Sequence, residues 1–310
     1  AYEMFMGLVG SEMCIRDRAS AGGVGKVTAE WMMNGHINED IFSYDIKRFQ
    51  KFHSEIKFIK ERVTETLGDL YGMHWPFKQH QTARNIKIFP HHEILKKSGA
   101  CFGVSGGYER PMWFSMDNQE PKYNYSYRYQ NWYPSVEFET KNCRKNVGLF
   151  DLTPFSKFEL KGDKAFEELQ RICTANIKND PGKCVYTQML NNDGGIEADV
   201  TVVCLERNYF RIISSAATRE RDKFHINKNL TTNIELTDVT DKYCVFGLFG
   251  PKSRELISSI SKEDFSNKNF KFATGKKIKI NNVETWVQRL SYVGELGYEI
   301  YVEFDNAVEI

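Results

Sequence analysis

The feature that most constrains the fold is an alternation of short strand-like and helical segments in the second half of the chain. Runs rich in β-branched and aromatic residues are bounded by turn residues, and helical patterns separate them. The predicted strands are 157–161, 200–205, 209–213, 244–249, 277–280 and 299–304, and the predicted helices are 164–174, 219–228 and 253–259. This mixed order, with no internal repeat, predicts an α+β fold.

The first 90 residues have a more helical pattern. Residues 10–17 resemble a translated sequencing adapter, so residues 1–18 are predicted to be a leader foreign to the fold. A short helix is predicted at 25–33 and an amphipathic helix at 48–70. A further helix is predicted to start at His92, and a new domain is expected to begin near it.

Charge and composition favour a small-molecule partner. The chain has 42 basic and 41 acidic side chains, so no overall field attracts nucleic acid or an anionic membrane. The aromatic stretch 123–133 contains too few basic residues to follow a phosphate backbone, and we interpret it as a packing or pocket-rim segment. No apolar run is long enough for a membrane helix.

The cysteines and histidines predict neither disulfides nor a metal site. Seven cysteines are spread singly, which favours reduced thiols and a cytoplasmic or mitochondrial-matrix compartment. His91, His92 and Glu93 lack the spacing that places two imidazoles on one helix face, so no zinc site is expected.

A glycine-rich segment at residues 20–27 suggests a phosphate-binding loop but departs from that motif. Ser20 replaces the first required glycine, and Val27 replaces the hydroxyl that binds magnesium. Two interpretations remain open: a tight turn into a helix, or a helix N-terminus that contacts the polar middle of a dinucleotide, as the C-terminal element of a flavin domain could. The residues that would make this cofactor contact are Gly22, Gly23, Val24 and Gly25.

A second glycine motif places a carboxylate beside a predicted strand. Gly194 and Gly195 form a turn, and the β-branched run after Asp199 is typical of a buried strand. An inward carboxylate needs a partner or a ligand. The sequence leaves open whether Asp199 is functional or is a solvent-facing or capping residue.

A third motif spans residues 290–300. Glycines flank Glu295 and predict a tight loop that presents its carboxylate to a cavity, while Glu299 lies on the next strand. A carboxylate can accept two hydrogen bonds from an amino-pyrimidinone ring. An ordinary hairpin is the alternative.

Taken in order, these motifs resemble the dimethylglycine and sarcosine dehydrogenases. Residues 21–31 resemble the end of the flavin domain of that family, and the following stretch to about residue 88 resembles its short middle domain. Several later segments are similar to the signatures of aminomethyltransferases, the glycine-cleavage T-proteins: residues 102–114, 131–132, 147–153, 194–199 and 292–299.

The resemblance implies a domain order. Residues 19–36 would be the C-terminal tail of an FAD-binding domain, and residues 37–90 the middle domain of the oxidoreductase. Residues 91–310 would form a T-protein-like folate-binding domain with mixed or antiparallel sheets and helices. Judged against the family, the chain is expected to be truncated at both ends.

The resemblance also implies a function. A flavin would oxidise an N-methyl amine such as dimethylglycine or sarcosine, passing electrons to an acceptor, and tetrahydrofolate would take the carbon as 5,10-methylene-tetrahydrofolate. By resemblance, Asp199 is the catalytic acid and Glu295 the pterin-binding residue, while Tyr186, Met189 and Tyr292 line the folate wall. The alternatives are a stand-alone aminomethyltransferase, a folate-dependent demethylase, or a non-catalytic regulatory subunit.

Overall fold

The described chain forms two compact units. The computed structural model describes residues 16–35, 39, 41–116 and 119–310, so most of the predicted leader lies outside the described residues. The two units are Ala1–Met73 and His74–Ile310. Their boundary falls inside the segment 37–90 that the sequence assigns to one domain.

The described part of the first unit is helical. It contains α1 (Arg16–Asn34), three 3-10 helices (Phe42–Tyr44, Ile46–Arg48 and Lys51–Ser54) and α2 (Ile56–Asp69). The predicted helix at 48–70 is therefore divided, and its regular part begins at Ile56. The reason is local, because the ring of His53 accepts a hydrogen bond from the Gln50 backbone N–H and closes the preceding 3-10 turn.

Helix α1 differs from its prediction at its start. It ends at Asn34 as expected, but it begins at Arg16 and includes Gly22, Gly23 and Gly25 in its interior. No glycine loop precedes the helix within the described residues. Backbone N–H groups in the body of a helix donate to carbonyls one turn earlier, so those of residues 22–25 are already used.

The second unit, His74–Ile310, contains two five-stranded antiparallel sheets and a separate hairpin. The first sheet has the order β10-β11-β12-β9-β3, and the second has the order β5-β6-β7-β4-β8. The strands are β1 (Ala100–Ser105), β2 (Tyr108–Phe114), β3 (Gly148–Asp151), β4 (Ser156–Lys161), β5 (Cys184–Leu190), β6 (Ile196–Glu206), β7 (Tyr209–Ser214), β8 (Leu236–Asp238), β9 (Tyr243–Phe249), β10 (Thr274–Ile280), β11 (Val283–Arg289) and β12 (Gly297–Glu303).

Short helices accompany the sheets. They are α3 (His92–Lys97), α4 (Tyr133–Lys145), α5 (Ala165–Ile172), α6 (Arg219–Asn229) and α7 (Ser253–Ser259). Leu169 of α5 and Ile226 of α6 are fully buried in the core on the outer face of the second sheet. Ile257 of α7 lies in the corresponding core of the first sheet. Helices thus cover one face of each sheet, and the predicted α+β class is confirmed.

The inner faces of the two sheets pack on each other. Alternate residues of a strand point to opposite faces: Phe246 belongs to the outer core of the first sheet, and its neighbour Val245 belongs to a central cluster. That cluster also contains Tyr301 of the first sheet and packs against Ile213 of the second. The central cluster therefore joins the two sheets.

The hairpin β1–β2 carries its own aromatic core. Trp113 and Cys101 are buried with Trp132, and Tyr123 and Tyr125 pack against them. The aromatic stretch 123–133 therefore serves packing, as predicted. No helix in the described ranges is both long and apolar enough to cross a membrane.

Candidate functional site

Asp199 lies within β6 on the inner face of the second sheet. Its direct partner across the ladder is Gln188 of β5. Two side chains hold the carboxylate: the Tyr186 hydroxyl donates to Oδ2 at 2.8 Å, and Gln188 Nε2 donates to Oδ1 at 3.1 Å. Asp199 is exposed, so it is an oriented, solvent-accessible acid and not a helix cap.

Strand alternation explains why this acid faces away from the outer core. Ala198 and Val200 are buried in the cluster beneath α5 and α6. Asp199, which lies between them, and Thr201, which follows Val200, point to the other face. Thr201 pairs with Ile213, which packs in the central cluster. Asp199 therefore continues the row of side chains that faces the first sheet.

Two tyrosines lie beside this acid. The hydrogen bond to Asp199 raises the pKa of the Tyr186 hydroxyl, and the nearby phenol of Tyr292 contributes to the same shift. Tyr186 is 65% exposed and Tyr292 is 76% exposed. The Tyr292 ring also packs edge-on against Phe155, with 6.0 Å between ring centroids. The structure thus brings Asp199, Tyr186 and Tyr292 together.

Met189 is placed differently from its prediction as part of the folate wall. Its side chain is 0% exposed and lies in the outer core of the second sheet. It neighbours Gln188 along β5, so the two side chains point to opposite faces. Met189 contributes packing below the site and offers no surface on the side of Asp199.

Glu295 lies in the predicted loop between two strands. The loop joins β11 to β12, and Gly294 adopts a left-handed conformation with φ +82°. The half-buried Glu295 carboxylate accepts a hydrogen bond from Arg144 Nη1 of α4 at 3.4 Å. No described contact joins Glu295 to Asp199 or Tyr186. Its charge is therefore directed to the end of α4.

Glu299 is the carboxylate that the sequence analysis did not assign to a site. Gln288 Nε2 and the Tyr301 hydroxyl both donate to its Oε2, at 2.7 and 3.0 Å. Among the described residues, no donor is paired with Oε1. Burial raises the pKa of Glu299 above its ordinary value. A charged residue at an inward position of a strand is the signal that could have identified it from the sequence.

Glu299 and Asp199 belong to the same space between the sheets. Burial of the Cys184 thiol on β5 raises its pKa, and the charge of Glu299 is the next largest cause of the same shift. Glu299 therefore faces the second sheet near Cys184, while Asp199 lies opposite Gln188. Four residues of strand separate Cys184 from Gln188, a distance of about 13 Å. One carboxylate lies deep between the sheets and the other at the exposed end.

This arrangement fits a reduced pterin with an extended tail. An amino-pyrimidinone ring presents N–H donors, and Glu299 Oε1 is an acceptor for one of them. The aromatic rings of Tyr186 and Tyr292 offer stacking surface at the exposed end. The acceptor atoms and aromatic rings at these positions are therefore chemically compatible with a folate.

The predicted FAD contact is not supported by the described residues. Gly22, Gly23, Val24 and Gly25 lie inside α1, where their N–H groups take part in the helix. A dinucleotide would need free N–H groups at a helix N-terminus. These four residues therefore do not fit the group, and we assign none of them to FAD.

Comparison with known families agrees with this architecture. Residues 91–310 match the GCVT N-terminal domain. The chain belongs to this family. Residues 34–88 match the FAD dependent oxidoreductase central domain. The order of an oxidoreductase central domain followed by a GCVT domain confirms the predicted resemblance to dimethylglycine and sarcosine dehydrogenases.

Three curated relatives match over most of this chain. The 4-methylaminobutanoate oxidase (formaldehyde-forming) of Paenarthrobacter nicotinovorans is 38% identical over 94% of this chain and 35% of its own length. The mitochondrial pyruvate dehydrogenase phosphatase regulatory subunit of Mus musculus is 30% identical over 93% and 34%. The mitochondrial dimethylglycine dehydrogenase of Rattus norvegicus is 29% identical over 91% and 33%. The chain thus spans about a third of the length of these relatives.

A solved structure has the same fold. The glycine cleavage system aminomethyltransferase T from Bartonella henselae matches 72% of this chain and 55% of its own chain, with a TM-score of 0.58 and 21% sequence identity. This likeness supports the T-protein-like fold of the second unit.

Proposed function

We propose that this chain is the folate-binding part of a flavin-dependent N-methyl amine oxidoreductase. The carbon removed from the amine, which would be dimethylglycine, sarcosine or a related N-methyl amine, passes to tetrahydrofolate to give 5,10-methylene-tetrahydrofolate. The observation that carries the proposal is the Asp199 carboxylate, held by Tyr186 and Gln188 on the face of the second sheet that is turned toward the sheet of Glu299.

Asp199 acts on the folate nitrogens in this proposal. When the iminium carbon bonds to N5 and N10, its bond to the amine nitrogen breaks and each folate nitrogen loses a proton. The departing amine takes one proton, and a fixed carboxylate within reach accepts the other. The same negative charge stabilises positive charge that develops at the reacting centre. The hydrogen bonds from Tyr186 and Gln188 use one acceptor position on each oxygen and fix the orientation of the carboxylate, leaving further lone pairs for the ligand.

Glu299 binds the pterin ring, and the tyrosines bind its tail. We assign the ring to Glu299 because its carboxylate lies between the sheets and Oε1 accepts no described hydrogen bond. Glu295, which the family resemblance assigns to this role, is paired with Arg144. Tyr186 and Tyr292 then stack on the part of the ligand that emerges beside Asp199.

FAD bound elsewhere in the whole protein would accept hydride from the N-methyl carbon. The described residues of this chain contribute the second half of the reaction: they bind folate, orient it and move a proton at Asp199.

The test uses the full-length protein that contains this chain. With an N-methyl amine and tetrahydrofolate, we expect 5,10-methylene-tetrahydrofolate as the product. Asp199→Asn should leave amine oxidation unchanged and reduce the folate product about 100-fold, the size typical of loss of a general base. Asp193→Asn, an exposed acid in the adjacent turn, is the matched control. Failure of the wild-type protein to bind tetrahydrofolate would refute the proposal.

A second candidate is release of the carbon as formaldehyde. The similarity to the formaldehyde-forming 4-methylaminobutanoate oxidase favours it. The same assay decides between them, because one equivalent of formaldehyde per amine in saturating tetrahydrofolate would replace the first proposal.

A regulatory role is the third candidate, and the similarity to a phosphatase regulatory subunit favours it. It predicts that the full-length protein oxidises none of the N-methyl amines and that Asp199→Asn leaves partner binding unchanged.

A further inference from the structure

Lys157 is a fully buried lysine at the start of β4. Its side chain is 0% exposed, and Nζ donates hydrogen bonds to the backbone oxygens of Thr153 and Phe155, both at 2.8 Å. These two carbonyls lie in the turn that connects β3 to β4. Because β3 belongs to the first sheet and β4 to the second, this turn is a covalent link between the sheets.

The lysine has no carboxylate partner within the described residues. Burial lowers its pKa to about 7, and Cys244, Arg211, Asp241 and Arg219 are the charged or titratable groups that act on it. The two carbonyls accept two of the N–H bonds of its amine. A buried lysine with this bonding is costly unless the turn requires a donor.

The turn held by Lys157 reaches the candidate folate site through Phe155. The Phe155 ring packs in the central cluster beside Ile213 and Trp286. Its edge contacts Tyr292 at an interplanar angle of 65°. The Phe155 backbone N–H also donates to Leu152 in the same turn. One continuous set of contacts thus runs from Lys157 Nζ to the exposed ring of Tyr292.

We propose that Lys157 is a positioning residue for folate: it fixes the 153–155 turn so that Phe155 supports Tyr292 at the entrance of the site. The proposal rests on the proposed function, in which Tyr292 contacts the ligand. Lys157 itself touches neither folate nor the reacting atoms.

The test measures both half-reactions of the full-length protein. Lys157→Met keeps an unbranched side chain, shorter by one atom, and removes the N–H donors. We expect the KM for tetrahydrofolate to rise about two- to tenfold, the range in which an edge-to-face ring contact contributes, while kcat for amine oxidation stays unchanged. The matched control is Lys161→Met, since Lys161 is an exposed lysine on the same strand. Equal changes in both half-reactions would show a purely structural role and overturn the proposal.

A second variant covers the case in which Lys157→Met does not fold. Phe155→Leu leaves Lys157 in place, removes the ring contact with Tyr292 and should raise the same KM. In a Tyr292→Ala background, neither substitution should raise it further, because interacting residues are not additive. Full additivity would overturn the proposal. If the wild type binds tetrahydrofolate and these variants leave its KM unchanged, the inference about Lys157 is wrong and the proposed function stands. If the wild type binds no tetrahydrofolate, the proposed function itself is wrong.

Discussion

The Tyr186 hydroxyl is joined to Asp199 Oδ2 by a 2.8 Å hydrogen bond that crosses from β5 to β6. Tyr186 lies opposite Thr201, and Gln188 lies opposite Asp199. The hydrogen bond is therefore diagonal, and it complements the direct cross-strand bond from Gln188. Two donors on one strand fix an acid on the next, which gives the carboxylate one orientation before any ligand arrives.

Removing the hydroxyl of Tyr186 should slow formation of the folate product without unfolding the protein. Tyr186→Phe keeps the ring and deletes one exposed hydrogen bond, worth about 1 kcal/mol. We expect 5,10-methylene-tetrahydrofolate formation in the full-length protein to fall about fivefold. Tyr127→Phe, at another exposed tyrosine of the same unit, is the control. An unchanged rate would show that Gln188 alone orients Asp199.

The two glutamates of the third motif should behave differently. Glu299→Gln removes a charged acceptor from between the sheets and should weaken tetrahydrofolate binding by about tenfold or more, since hydrogen bonds to charged groups contribute about 1.5–3 kcal/mol. Glu295→Gln breaks an exposed pair with Arg144 and should change binding less than about threefold. Calorimetric titration measures the tetrahydrofolate affinity of both variants. A larger loss of affinity in Glu295→Gln than in Glu299→Gln would assign pterin binding to Glu295.

The sequence predicted the elements of the second unit better than their arrangement. The helix 253–259 matches α7, and the run 157–161 matches β4 to within a residue. The sequence left open whether Asp199 is functional or a solvent-facing or capping residue, and the register of β6 places it on the inner face. Which strands are neighbours was beyond local pattern, because pairing such as β3 with β9 joins residues far apart in sequence.

The site shows the same limit. Gly294 and the loop around Glu295 followed from turn chemistry, yet the loop directs its carboxylate to Arg144, which lies on another element. Met189 sits beside Gln188 in sequence, and only the register of β5 shows that it points to the opposite face. Glycines at 22–25 suggested a loop, but backbone hydrogen bonding continues through them as helix.

Buried Asp222 should make stability depend on pH. Its Oδ2 accepts hydrogen bonds from Ser214 and Thr218, Oδ1 has no described partner, and burial raises its pKa to about 6. The unfolded carboxyl ionises near pH 4, so between about pH 4 and 6 the folded state holds more protons. The free energy of unfolding should therefore fall as pH rises through this window, by about 3 kcal/mol.

Asp222→Asn should remove this pH dependence. Urea unfolding at intervals from pH 4 to pH 7 measures the slope for the wild type and the variant. Asp193→Asn, at an exposed acid, should keep the wild-type slope. A wild-type slope in Asp222→Asn would assign the effect to other groups.

Gly182 should be far less tolerant of substitution than Gly194, although both have a left-handed backbone, with φ +86° and φ +82°. A Cβ at Gly182 would lie 2.5 Å from the backbone oxygen of Gly275, where a 2.7 Å hydrogen bond from Gly275 N to Gly182 O joins β10 to the turn that precedes β5. A Cβ at Gly194 meets nothing within 4 Å.

Gly194→Ala should cost only the left-handed conformation, about 1–2 kcal/mol. Gly182→Ala adds the displacement of a backbone carbonyl and should cost about 3–5 kcal/mol in all. Urea unfolding compares the two, and equal losses would mean that the strand around Gly275 yields without disturbing the contact between the sheets.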